Sequence, residues 1–275
     1  MNKRTRHAHD LVPLLVRYLL TSEPNGLYDY IRDNSNLPGR RANLELAAAF
    51  GDVAGRITES NPEAIWRLTQ GMTEIDAAQA PTDAPLEFVP FCGTVALGAV
   101  AAACPDRLPD AMDRLRQVSR DARWRLHEAV AMGLQRLLTS RAEETLDGMA
   151  AWILPGDPLP ARAVAAGLAD PWILEDPAIA ERALALHRRI LNNLQGEDQR
   201  HTDGYRTLRQ GLAHTLSVVV AADPEHGFPY LEELAKAHDR DVRWILGRNL
   251  SKDRLTLHYA GRVARVVALL HANAG

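Results

Sequence analysis

Residues 120–126 read RDARWRL, and residues 240–246 read RDVRWIL. Five of the seven positions are identical, and the two copies lie 120 residues apart. A motif that recurs within one chain is typical of repeat architectures, and paired-helix repeats span roughly 40 residues, so the interval fits about three repeats. The internal repeat therefore predicts a chain built from stacked helix pairs.

Four arginines mark the register of these repeats. Arg123, Arg162, Arg206 and Arg243 each open an apolar helical segment, at successive spacings of 39, 44 and 37 residues. Each segment continues as a stripe of apolar residues at helical spacing, namely Leu126, Val130 and Leu134; Val164 and Leu168; Leu208, Leu212 and Leu216; and Leu246 and Leu250. Residues 44–50 and 95–100 are interpreted as degenerate copies, so that about six units cover the chain.

The remaining sequence also favours helices. Helix starts are marked by a capping side chain directly before proline at Asn61, Asp157, Asp176 and Asp223. No run of β-branched residues with period two is flanked by hairpin turns. We predict helices near 9–20, 25–33, 41–57, 62–75, 87–103, 107–119, 121–138, 141–153, 158–169, 177–193, 204–221, 227–238, 240–250 and 253–272.

These patterns predict one all-α domain, a right-handed α-solenoid of antiparallel helix pairs. Hydrophobic residues make up 46% of the 275 residues and aromatic residues only 5%, which suits a core of Ala, Leu and Val. Two loose connections, 76–86 and 195–203, are expected to be mobile loops. Within the single domain 1–275 we expect an atypical N-terminal cap over 1–85, repeats over 86–255 and a capping helix over 256–275.

Composition limits the classes of function. The formal net charge of −3 argues against a dedicated nucleic-acid binder, which usually carries a basic footprint. Cys92 and Cys104 match no zinc or redox spacing and favour a reducing compartment. No apolar run of the ~18 residues needed for a membrane span and no signal-peptide core is found. We therefore expect a cytoplasmic protein with no membrane partner, no cofactor and no metal site; oligomeric state is left open.

The pattern Asp-x-Arg-Trp-x-Leu at a helix start resembles the HEAT-like repeat superfamily. In HEAT units an Asp at the turn between helices and an Arg on the next helix commonly pair across adjacent repeats. The resemblance implies such pairing for Asp121 with Arg123 and for Asp241 with Arg243. It covers residues 120–255 most clearly and implies a fold more than a function.

The C-terminal run 241–255 is also similar to bacterial HEAT-like proteins grouped near the DNA alkylation repair glycosylases. That resemblance implies DNA binding, and a glycosylase activity if the chain is an enzyme. The catalytic Trp and Asp of those glycosylases have no residue-by-residue match here, so no catalytic residue is assigned.

The motif tryptophans are the first candidates for binding. Trp124 lies between Arg123 and Arg125, and Trp244 follows Arg243. An aromatic ring beside guanidinium groups can stack a base or hold a phosphate. The alternative is structural: the ring is wedged between repeats while the arginine reaches a turn aspartate.

A basic segment and an acidic aromatic loop supply the other candidates. Residues 236–265 contain eight Lys or Arg and three Asp, a balance of 8 − 3 = +5, with Arg248, Lys252 and Arg254 near its centre. This segment is either a patch for nucleic acid or an acidic partner, or the polar face of a terminal cap. Trp172 with Asp176 resembles a base-flipping pocket, or else belongs to an ordinary turn between helices.

Two hypotheses about function remain. The first is an interaction or scaffold protein without catalysis, which binds a protein partner through the concave surface of the solenoid. The second is a DNA-binding protein of the alkylation-repair type. The two are distinguished by whether the arginines are paired with acidic residues or free to contact phosphates.

Overall fold

The computed structural model describes residues 2–194 and 200–273. Across these residues it contains helices and no strand, which confirms the all-α prediction. The helices are α1 Lys3–Thr21, α2 Asn25–Asp33, α3 Leu44–Thr58, α4 Pro62–Glu74, α5 Phe88–Ala103, α6 Leu108–Val118, α7 Trp124–Ser140, α8 Ala142–Trp152, α9 Pro158–Leu168, α10 Pro177–Leu194, α11 Asp203–Ala222, α12 Pro224–Leu234, α13 Arg240–Leu250, α14 Asp253–Thr256 and α15 Ala260–Ala272, with short 3₁₀ turns before α5, α6 and α10.

Contacts divide the chain into two compact units, Met1–Arg141 and Ala142–Gly275. In the first unit the odd-numbered helices form a row: α1 packs on α3, α3 on α5, and α5 on α7. Helices α4 and α6 pack beside α5, and α2 packs against α1 and α5. Nearly all of α5 is buried because its sequence is apolar on every side. The helices of the expected cap, α1 and α3, therefore stack in the same row as α5 and α7.

The second unit has the same alternation. Helices α9, α11 and α13 pack in one row, while α10 and α12 lie against α11, and α15 packs on α12 and α13. Three of the four marker arginines lie within the first five residues of α9, α11 and α13, and Arg123 directly precedes α7. Every residue of the predicted apolar stripes is buried. The apolar stripes predicted from the sequence therefore lie on buried faces of α7, α9, α11 and α13.

Several predicted helix boundaries are wrong, among them the starts of α3 and α7, which lie three residues later than predicted. Helix α1 begins at Lys3, six residues early, because the Asn2 side chain accepts a hydrogen bond from the backbone N–H of Thr5. Helix α12 begins at Pro224, where the Asp223 side chain accepts from the backbone N–H of His226. The single helix predicted over 253–272 is two helices, α14 and α15.

One segment is apolar enough to resemble a membrane span. By length and composition alone, Pro85–Ala103 could cross a membrane. No apolar run of that length was predicted from the sequence. Most of this segment is buried inside the first unit, where it forms α5. Its apolar character is thus that of a core helix. The cytoplasmic location stays a prediction.

Candidate functional site

The first copy of the motif holds a buried ion pair. The guanidinium of Arg123 is almost completely buried and contacts the Asp121 carboxylate at 2.9 Å and 2.7 Å. Asp121 also accepts from the backbone N–H of Arg123 at 2.8 Å. Burial raises the pKa of Asp121, but these bonds outweigh burial and the pKa lies below its usual value. Asp121 and Arg123 are therefore paired within one copy of the motif.

Arg123 also fixes the connection between α4 and α5. Its guanidinium donates to the carbonyl oxygens of Ile75 at 2.9 Å, Asp76 at 3.2 Å and Ala80 at 3.1 Å. Two of these carbonyl groups, those of Asp76 and Ala80, lie within the connection 76–86, which Arg123 therefore ties to the start of α7. Arg123 is thus a structural residue and is not exposed to a ligand.

Arg125 is also bound by groups of the protein itself. Its guanidinium is buried and lies 2.6 Å from Asp83, 3.2 Å from Glu87 and 2.9 Å from the carbonyl oxygen of Gly39. Burial raises the pKa of Glu87, and the backbone N–H of Asp83 and the charge of Arg125 offset part of that rise. The charge of Arg125 is therefore neutralised inside the first unit.

Trp124 remains at the surface despite these buried neighbours. Its side chain is 51% exposed, and the guanidinium carbon of Arg125 lies 4.3 Å from its ring centroid. The inner face of the indole thus rests on a buried cation. About half of the surface of Trp124 is therefore open to solvent.

In the second copy of the motif the charges are distributed differently. Asp239 caps α13 by accepting from the backbone N–H groups of Asp241 and Val242, so Asp241 falls inside the first helical turn. There Asp241 accepts from Tyr205 at 2.9 Å and pairs with Arg200 at 3.0 Å and Arg209 at 2.8 Å. The expected pair of Asp241 with Arg243 is wrong, since helix α13 starts before Asp241 whereas α7 starts after Asp121.

Arg243 and Trp244 occupy the surface of α13. The Arg243 guanidinium donates to the carbonyl oxygens of Ala237 and Leu270. Trp244 is 36% exposed, and the guanidinium carbon of Arg209 lies 3.7 Å from its ring centroid. Both motif tryptophans thus have a guanidinium behind the ring, supplied by Arg125 in one unit and by Arg209 in the other. Sequence spacing gave no signal for Arg209.

Connection 195–203 is partly described. Residues 195–199 lie outside the described residues, so the mobility predicted for this connection stays a prediction. Arg200 pairs with both Asp239 and Asp241, and Thr202 caps α11 through Tyr205. Burial raises the pKa of Asp239, but bonds from Arg200, Val242 and Asp241 lower it below its usual value.

The basic segment retains three cations near the end of α13. No ion pair to Arg248, Lys252 or Arg254 is found among residues 2–194 and 200–273. Arg254 donates to Ser217 Oγ at 3.4 Å. Burial, followed by the charges of Arg254 and Lys252, lowers the pKa of His214. The charges of Arg254 and Lys252 therefore both act on His214.

The Trp172 turn does not have the geometry of a base-flipping pocket. Trp172 is 80% exposed, and Asp176 Oδ1 accepts from the backbone N–H of Ala178 at 2.9 Å, at the start of α10. A flipped base needs walls on both faces, whereas this indole projects into solvent. The part of the chain that the structure describes also places no three His, Cys, Asp or Glu side chains together as a metal site.

Comparisons with known proteins give no assignment. No protein-family model matches the chain, and no curated protein matches it significantly.

Proposed function

We propose that the chain is an interaction protein: a HEAT-like, right-handed α-solenoid that binds a protein partner through its concave surface and catalyses no reaction. The alternation of row helices in each unit supports the solenoid, because repeats of this kind pack each helix on its counterpart in the next repeat. The same proposal places the protein in the bacterial cytoplasm.

The observation that carries the proposal is the exposure of Trp124 and Trp244. Both stand at the same position of the repeated motif, and both remain partly exposed while Trp66 and Trp152 are buried. Tryptophan is among the residues most enriched at the energetic centres of interfaces. A guanidinium behind each ring holds it in place before binding, which lowers the entropy lost when a partner docks.

The arginines support a protein partner over nucleic acid. Arg123 and Arg125 are paired with carboxylates inside the first unit. Arg188 is paired with Glu233, and Arg243 donates to two carbonyl groups. A phosphate backbone needs guanidinium groups that are free to contact it, and these four are engaged within the protein.

The test is capture of partners from a bacterial lysate on the immobilised chain. The double variant W124A/W244A should lose a partner that the wild type retains, and the purified partner should bind the variant more than about tenfold more weakly, as expected for an interface centre. The control is Leu257→Ala, which removes an even more exposed apolar side chain outside the motif. An identical set of captured proteins for both chains contradicts the proposal.

A second candidate, DNA binding, is favoured by Arg248, Lys252 and Arg254. Cations without acidic partners can replace the counterions of a phosphate backbone. Binding of duplex DNA across a salt series distinguishes the two functions. DNA binding through this cluster predicts an affinity that falls steeply with salt, and a slope reduced by up to about 3 in R248A/K252A/R254A. The interaction-protein proposal predicts no measurable binding at physiological salt.

A further inference from the structure

The outer face of α1 is apolar and uncovered. In the row of the first unit, α3 and α5 each pack between two other row helices, whereas α1 packs on α3 alone. Val12, Val16 and Leu20 follow one another at intervals of four residues and therefore share one face of the helix. Their exposed fractions are 41%, 45% and 82%. These three residues, the α1 stripe, thus form an apolar surface at the open end of the row.

An open depression continues the α1 stripe towards the start of the helix. Its volume is about 390 Å³, and it is lined by Arg4, Thr5, Ala8, His9 and Val12 of α1 and by Asp52 and Arg56 of α3. The Arg4 guanidinium lies 2.7 Å from the Asp52 carboxylate, which offsets its charge. Arg56 is exposed and has no ion pair with any residue that the structure describes. The depression therefore combines apolar walls with a positive charge that has no acidic partner.

The opposite end of α1 carries a negative charge. Glu23 follows the last helical residue, Thr21, by two positions, and its backbone N–H donates to Thr21 Oγ1 at 3.2 Å. Its side chain is exposed and has no ion pair within the described part of the chain. The two ends of α1 are thus complementary in charge, with Glu23 at one end and Arg56 beside the other.

This face of α1 is complementary to itself. A two-fold axis perpendicular to a pair of helices makes them antiparallel and gives each copy the same contacts. When Val12 of one copy lies opposite Val16 of the other, Leu20 lies at the level of Ala8, which lines the depression. Glu23 then lies about one turn further towards the start of the other helix. The exposed leucine and the carboxylate of one copy thus reach the depression of the other.

We infer that two copies of the chain form a symmetric dimer through antiparallel α1 helices, in which Leu20 of each copy packs over the depression of the other and Glu23 pairs with Arg56. A second copy fits this face because the same helix supplies both an apolar stripe and the charge that the depression lacks. Three exposed apolar side chains on one helix bury less than the ~800 Å² per partner of a standard interface. The dimer is therefore weak, and its population depends on concentration.

Sedimentation velocity of the full chain, at micromolar to near-millimolar concentrations, tests the role of the α1 stripe. Wild type should pass from monomer to dimer and no further, because a two-fold contact occupies the α1 face of both copies. Val16→Glu places a charge in the contact twice per dimer and should raise the dissociation constant more than about tenfold. The control Leu257→Glu, at an exposed position of the second unit, should dimerise like wild type. A monomeric wild type, an unaltered Val16→Glu, or an equal loss in Leu257→Glu overturns the inference.

Exchange of charges tests the antiparallel arrangement. Glu23→Arg and Arg56→Glu, both at exposed positions, each bring like charges together at both ends of the dimer, so each variant alone should dimerise more weakly than wild type. An equal mixture should form a heterodimer, because one chain is then basic at both positions and the other is acidic at both. A mixture that associates no better than its components overturns the inference.

This dimer is independent of the proposed partner binding. The variant W124A/W244A leaves the α1 face intact and should dimerise like wild type, whether or not it loses a partner. A loss of dimerisation in this variant would contradict the α1 contact. Circular dichroism confirms that each variant is folded.

Discussion

Arg123 and Trp124 are adjacent in the sequence and have opposite environments. The arginine is buried and binds Asp121 and the connection after α4, whereas the tryptophan is half exposed. Helix α7 begins between them, and a helix start directs consecutive side chains to different sides. The first residue therefore stabilises the fold, and the second is available for binding.

Replacing Arg123 with Ala should lower the free energy of unfolding by about 3–5 kcal/mol, because Asp121 and three carbonyl groups lose a buried partner. Denaturant unfolding measures this change. Arg248→Ala, at an exposed position with no ion pair to any described residue, should change stability by less than about 0.5 kcal/mol. Equal stability of the two variants would rule out a structural role for Arg123.

His187 makes stability depend on pH. It is fully buried, with Nδ1 2.9 Å from the Ala183 carbonyl oxygen and Nε2 3.1 Å from Thr215 Oγ1. Burial lowers its pKa to about 4. The unfolded chain keeps the ordinary value near 6.5, so it binds a proton that the folded chain does not bind between these two pH values.

Stability should therefore fall as pH decreases from about 6.5 towards 4, by up to about 3 kcal/mol from this residue. His187→Gln keeps a donor and an acceptor but does not titrate. The difference in unfolding free energy between wild type and variant, measured from pH 7 to pH 4, should shrink as pH falls. A constant difference would show that His187 does not titrate in this range.

The two copies of the motif show that a local sequence pattern does not predict which partner a charged side chain binds. Asp121 and Asp241 stand at the same position of the motif, yet only Asp121 pairs with the arginine two positions later. Asp239 supplies the cap of α13 and Arg200 binds Asp241. Arg200 lies 41 residues away, so no local pattern predicts that Asp241 turns towards it.

Helices α5 and α7 pack closely because glycines face each other. A Cβ atom added at Gly98 would overlap the carbonyl oxygen of Gly133. The absence of side chains at this crossing allows the two backbones to approach. The contact is part of the row that organises the first unit.

Gly98→Ala should therefore lower the free energy of unfolding by about 1–3 kcal/mol, the usual range for overpacking a core. Gly71→Ala in α4 is the matched control, because a Cβ atom there meets nothing within 4 Å. That variant should gain up to about 1 kcal/mol from helix propensity. Thermal unfolding compares the two, and a stabilising Gly98→Ala would contradict the close α5–α7 contact.

At the scale of elements the sequence predicted the row helices better than the ends of the chain. Apolar stripes identified α7, α9, α11 and α13 because burial on one face imposes the helical period. Helix α1 was predicted too short, since residues 3–8 are polar and carry no stripe. The exposed termini have fewer packing constraints, and local caps decide where their helices begin and end.

At the scale of the whole molecule, the proposed solenoid has a measurable consequence. A compact domain of 275 residues has a radius of gyration of about 19 Å. Stacked repeats are longer in one direction, so small-angle X-ray scattering of the monomeric protein should give a value well above 19 Å. A value at or below 19 Å would contradict a solenoid that includes both units.

The sequence did not predict which of the five tryptophans are exposed at the surface. Periodicity indicates which face of a helix is apolar, but not whether another helix covers a tryptophan at its first turn. Trp66 and Trp152 are buried, while Trp124, Trp172 and Trp244 are exposed. The composition around the five residues does not separate these groups, because each environment depends on residues distant in the sequence.

The central claim is that Trp124 and Trp244 contact a macromolecular partner. Photo-crosslinking tests it most directly: a photoreactive phenylalanine derivative replaces Trp124 or Trp244 in separate chains, and Leu257, which is exposed and lies outside the motif, serves as the control position. The account predicts crosslinks to the same partner from positions 124 and 244 and none from 257. Absence of a crosslink from both tryptophan positions, or equal labelling from position 257, would contradict it.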